Sequence, residues 1–115
     1  MKLFVLVLNQ TEKLGDLMRE YAKEKICGAT ILESSGMARS LLGSQEEDIS
    51  FFNSIRKYLR HGENEKTKTI FAVIRKDQED TILNATKRVI DFSQPDTGIM
   101  FVLNLEYAFG KGLEN

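Results

Sequence analysis

Three segments of this chain, Leu3–Leu8, Thr69–Ile74 and Ile99–Leu103, are apolar at nearly every position rather than at alternate ones. A strand with one wet face alternates with period two, whereas a strand apolar throughout is covered on both faces. A sheet built from these segments must therefore have something on each side of it. A shorter segment, Thr30–Ser34, is also a strand pattern and closes at Gly36. Between the first two strands, Leu14, Leu17, Met18, Tyr21 and Ala22 recur at helical spacing. Thr11 stands where it can cap that helix, and Glu12, Lys13, Arg19, Glu20, Lys23 and Glu24 fall mostly on the opposite face. Gly28 marks the end of the unit. Asp77, Glu79 and Asp80 open a second helix pattern that runs through Ile82, Leu83, Ala85, Val89 and Ile90, with carboxylates at the positive end of the helix dipole. Ser93-Gln94-Pro95-Asp96-Thr97-Gly98, which holds the single proline, is a turn into the last strand.

The order is β-α-β-loop-β-α-β, the split βαβ arrangement of a ferredoxin-like α+β domain. It predicts a four-stranded antiparallel sheet with both helices on one face. The 115 residues suffice for one such domain and one core. With the helices on one side, the other face of these apolar strands is bare, and the simplest cover is the same face of another copy. Oligomerisation is thus expected from the strands alone.

Composition narrows the function. Hydrophobic residues at 42 % and charged residues at 29 % describe a folded domain rather than a disordered one. Sixteen basic residues against seventeen acidic ones leave no basic surplus of the kind that binds nucleic acid. RNA recognition modules share the strand order and stack bases on strand aromatics. Phe4, Phe71 and Phe101 are the residues that could serve, but they sit in aliphatic runs without neighbouring Lys or Arg, which suits a buried face. Cys27 is the only cysteine, so no intrachain disulfide forms; between a helix and a strand it is expected to be a small buried hydrophobe. The apolar run at the start ends at Leu8 and is followed by Asn9-Gln10-Thr11-Glu12. That is too short to span a bilayer and lacks a small-residue cleavage site, so a cytoplasmic protein is expected.

No catalytic or metal site is expected. His61 is the only histidine, and the consecutive Glu46, Glu47 and Asp48 cannot all face one point on a helix. A nucleophilic serine or cysteine would want a histidine base, and the sequence has no nucleophile elbow, phosphate-binding loop or dinucleotide fingerprint.

Residues 37–66 carry no strand signal. Within them Ile49, Phe52, Ile55 and Leu59 form one helical stripe with Phe51 and Tyr58 beside it. Acidic residues lead and Arg56, Lys57, Arg60 and His61 follow, which suits the helix dipole and predicts a short amphipathic helix over 46–60 inside a long functional loop. That helix has three destinations: its own oligomer, a groove on a partner protein, or a membrane surface, for which it lacks the usual basic polar face. Phe51, Phe52, Ile55 and Leu59 are the candidate partner-binding residues, and Tyr58 reads as packing.

The stretch Gly28-Ala29-Thr30-Ile31-Leu32-Glu33-Ser34-Ser35-Gly36-Met37-Ala38-Arg39 resembles the part of nitrogen-regulatory PII proteins that ends their second strand and enters their T-loop. Lys76-Asp77-Gln78, the second helix, Gly98 and Phe101-Val102-Leu103 are similar to the second half of that family without a gap; only the loop between the halves differs clearly. The resemblance implies a non-catalytic homotrimer with sheets facing inward, adenine nucleotides in the clefts between subunits, and a T-loop that docks on enzymes, transporters or transcription regulators. A membrane would then be met only through a membrane-protein target. The implied ligand-binding residues are Thr30, Gly36, Met37, Ala38 and Arg39, with Asp96, Thr97 and Gly98. The family's phosphate-holding turn ends Gly-Asp-Gly-Lys, whereas this chain has Asp96, Thr97, Gly98 and Ile99; two expected arginines fall at Gly110 and Gly112, with only Lys111 between them. Thr30 and Arg39 do match, so the adenosine half of the site is kept while the phosphate half is taken apart. Two functions follow: a PII-like regulator of a partner protein, controlled by a small effector such as an adenine nucleotide, or a non-catalytic oligomeric interaction module with no small-molecule ligand.

Overall fold

The computed structural model describes residues 1–37 and 66–110. The strands are β1 (Lys2–Leu8), β2 (Ala29–Ser35), β3 (Lys66–Ile74) and β4 (Gly98–Asn104), and the helices are α1 (Leu14–Lys23) and α2 (Glu79–Val89). All pairings are antiparallel and the strand order is β2-β3-β1-β4. This is the α+β ferredoxin-like sheet that the element order predicts. The loop helix expected over 46–60 lies outside the described residues.

Strand parity divides the apolar residues into two sets. Phe4, Leu6 and Leu8 of β1 point toward the helices and are fully buried, with Phe4 opposite Ala72 and Leu6 opposite Ile70. Leu17 and Tyr21 of α1, Ile82 and Ala85 of α2, and the flanking Ile26 and Ile90 complete this core. The Phe4 and Tyr21 rings meet edge-on at 6.2 Å. The Tyr21 hydroxyl lies 2.7 Å from Thr86 Oγ1, and Thr86 donates its own proton to the Ile82 carbonyl at 2.8 Å. A hydroxyl has one proton to give, so Tyr21 is the donor between them. Burial pushes the Tyr21 phenol up to about 12, although the bond to Thr86 pulls it back.

The helix ends differ from expectation. Thr11 opens a short 3-10 turn, Thr11–Lys13, and the residue capping α1 is Lys13, which makes no side-chain cap bond. The entry is instead held by backbone bonds, with Asn9 N–H donating to the Thr97 carbonyl at 3.0 Å and Thr11 N–H to the Asn9 carbonyl at 2.9 Å. α1 stops well before Gly28. Ile26 N–H reaches back to the Tyr21 carbonyl at 2.8 Å and Lys25 N–H to the Ala22 carbonyl at 3.0 Å, with Lys25 in the left-handed region at φ 62°. Two such reverse bonds around a left-handed residue close a helix, a place where glycine is the usual occupant. Cys27 follows in an outlying strap and is exposed rather than buried, because Ile26 takes the inward position.

The other set of side chains forms the open face. In register across β4, β1 and β3 lie three rows: Leu103, Leu3 and Val73; Phe101, Val5 and Phe71; Ile99, Val7 and Thr69. On β2, Thr30 stands beside Phe71 and Leu32 beside Thr69. The outer residues remain open, with Ile99 60 %, Phe101 41 % and Leu103 51 % exposed. No charged residue interrupts these rows. The Ser34 hydroxyl, bonded to Thr67 at 2.5 Å and Thr69 at 2.8 Å, makes a polar corner where β2 and β3 lead to the long segment. The strands are apolar on both sides, and the helices of one chain cover only one.

Candidate functional site

Thr30 and the Asp96–Gly98 turn lie at opposite edges of the sheet. Thr30 is on β2, in the row Thr30, Phe71, Val5 and Phe101, while Gly98 begins β4 in the row Gly98, Leu8, Lys68 and Glu33. Three inter-strand spacings separate the two edges, roughly 14 Å at the usual strand separation. One chain therefore does not bring the two groups together. They can share a site only where the β2 edge of one copy meets the β4 entry of another. Gly36 and Met37 are exposed at the exit of β2. Ala38 and Arg39, and all of Phe51, Phe52, Ile55 and Leu59, lie outside the described residues.

The turn before β4 is occupied with holding the fold. Thr97 is buried; its carbonyl accepts from Asn9 N–H at 3.0 Å and Gln10 N–H at 3.4 Å, and its hydroxyl donates to the Gln94 carbonyl at 3.3 Å. Asp96 is exposed in the left-handed region at φ 58°. Gly98 has φ 146°, and a Cβ added to it would lie 2.5 Å from the Val7 carbonyl oxygen. The glycine shared with the phosphate-holding turns is thus required here by the close approach of β4 to β1. The following residue, Ile99, offers no cation.

At the Thr30 edge the structure has a cleft of about 490 Å³. It exists because β2 begins opposite Ala72, so Val73 and Ile74 of β3 have no β2 partner, and the strap from Lys25 to Gly28 crosses the vacated edge. Lys25, Cys27, Gly28 and Thr30 line one side; Phe71, Val73, Arg75 and Gln78 line the other. Arg75 Nε donates to the Asp77 carboxylate at 3.1 Å, and Arg75 N–H donates to the Gln78 side-chain oxygen at 2.9 Å. Of these residues only Thr30 is a ligand-binding residue expected from the sequence. Lys25 and Arg75 carry no motif, and only the pairing of β2 with β3 brings them to one cleft.

A second cleft, about 400 Å³, sits at the other end of β2 and is lined by Thr11, Glu33, Ser34, Ser35, Lys66, Thr67 and Lys68. The Lys68 ammonium donates to Glu33 at 2.7 Å. That bond and then the charges of Lys68 and Lys66 hold the Glu33 carboxyl below its usual range. This cleft flanks the base of the long segment.

Among the described residues no group of His, Cys, Asp and Glu is placed to hold a metal ion. No helix among them is long and apolar enough to cross a membrane. Compared with models of known protein families and with curated protein sequences, the chain matches none.

Proposed function

We propose that this chain is a non-catalytic regulatory protein of the PII-like kind, a homotrimer that binds a small effector between subunits and controls a partner protein through residues 37–66. The observation that carries the reading is the open sheet face, three in-register rows of side chains without a charge and apolar at every position but Thr69. A face of this kind calls for a cover of the same character, and a second copy supplies one. Assembly would also supply what one chain lacks, since Thr30 and Asp96–Gly98 lie at opposite edges. The effector proposed is an adenine nucleotide, held with its base toward Thr30 and Arg39; the output is the stripe of Phe51, Phe52, Ile55 and Leu59. The setting proposed is cytoplasmic signalling, with nitrogen control as the role the resemblance suggests.

One observation favours a second reading, an oligomeric interaction module without a ligand. The Thr97 hydroxyl and carbonyl are spent inside the turn, and Ile99 stands where a phosphate would want a cation.

Sedimentation velocity tests the shared premise. A trimer of 13.1 kDa chains has three times that mass. Val5→Asp places a carboxylate between Phe71 and Phe101. Burying it unpaired in an assembled face costs several kcal/mol, so the variant is expected to be monomeric with an unchanged far-ultraviolet circular dichroism spectrum. A wild-type protein that is monomeric at tens of micromolar refutes the assembly, and a trimeric Val5→Asp shows that another surface makes it.

A further inference from the structure

The closure of α1 puts Lys25 at φ 62° where glycine would sit without strain. A non-glycine residue held in this region is a cost that local structure does not require, and such outliers gather at functional sites. Lys25 lines the cleft beside Thr30, and Arg75 stands on the wall formed by β3. Among the described residues no carboxylate lines the cleft. Asp77 engages Arg75 through Nε, which leaves the two terminal guanidinium nitrogens as donors. The Gln78 side-chain oxygen already accepts from Arg75 N–H, so its NH2 group is the part left to donate. Phe71 and Val73 provide an apolar floor, and Thr30 adds a hydroxyl. Two cations, one of them already paired with Asp77 through Nε, together with neutral donors and an apolar patch in one cleft make a recognition site for an anion that carries an organic body.

We infer that this cleft binds a small organic anion, its phosphate or carboxylate group held between Lys25 and Arg75 and its body lying on Phe71 and Val73. The inference deepens the effector reading and rests on it: the charge-holding role absent at Ile99 is carried in this chain by the strap and the end of β3.

The test is an amide chemical-shift titration of the full-length protein with three probes: adenosine monophosphate, adenosine and succinate. At least one of the two anions is expected to move the amides of residues 25–30 and 75–78, and which one does so tells phosphate from carboxylate. Lys25→Gly is expected to weaken that anion about tenfold or more, the worth of one charged hydrogen bond, while raising the melting temperature by removing the backbone strain. Arg75→Gln is expected to weaken it in the same way. A Lys25→Gly protein that melts higher yet binds the anion as well as wild type overturns the inference. Adenosine binding as tightly as its monophosphate, with succinate silent, also overturns it but leaves the effector cleft standing. Silence from all three probes overturns both.

Discussion

Replacing Gly98 with alanine tests whether this glycine serves the sheet or a ligand. Its φ of 146° belongs to a region that L side chains rarely adopt, and a Cβ would lie 2.5 Å from the Val7 oxygen and 3.3 Å from the Leu8 Cα. Backbone strain in such a region costs of order 1–3 kcal/mol. Ordinary contact needs the added carbon to retreat by roughly 1 Å, which pulls the start of β4 away from β1 and forfeits about one ladder hydrogen bond, near 1 kcal/mol. The expected loss is therefore about 3 kcal/mol, a large part of the 5–15 kcal/mol that holds a typical domain. At roughly 2.1 cal/mol/K of unfolding entropy per residue, this lowers the melting temperature by about 12 °C. Urea unfolding followed by circular dichroism measures the free energy, and calorimetry the temperature. A Gly98→Ala protein within about 0.5 kcal/mol of wild type refutes the close-approach reasoning. If that equally stable variant also lost binding of the proposed effector, the glycine would be a ligand contact after all.

Tyr21→Phe addresses the buried phenol. Because its folded pKa of about 12 lies above the ordinary value of 10.0, the phenol's contribution is whole below pH 10 and is lost as pH rises through the folded value. Roughly 2–3 kcal/mol of stability is expected to vanish between pH 10 and 12 in wild type and to persist in the variant; identical pH profiles would refute this. Thr86→Val removes the acceptor of Tyr21 in a site where Thr86 is fully buried, and urea unfolding is expected to show a loss of about 1–3 kcal/mol. If the chain assembles as proposed, replacing Phe52 and Ile55 together with aspartate is expected to leave the sedimenting species unchanged and to abolish capture of a partner protein. Loss of the assembly instead would make that stripe a structural element.

Much of this architecture could be read along the chain because its signals are local. The helical spacing of Leu14, Leu17, Met18 and Tyr21 and the unbroken apolar runs of three strands specify the elements, their order and a sheet apolar on both faces. Period two also divides Phe4, Leu6 and Leu8 from Leu3, Val5 and Val7, though it does not say which set the helices take. The turn cluster at 93–98 was likewise visible as a turn. Other features depend on what lies sideways in the sheet, which strand order and register set through long-range pairing. No local period encodes that Thr30 and Gly98 stand at opposite edges, that β2 stops short of Val73, or that Lys25 and Arg75 thereby share a cleft. The same holds for single positions. Gly98 is glycine because a carbonyl on another strand occupies the space of its Cβ, Thr11 leaves capping to the backbone because Thr97 anchors the entry loop, and Cys27 faces water because Ile26 fills the inward place beside it. Each turns on a neighbour distant in sequence or on the path of the backbone, and residue type and spacing specify neither.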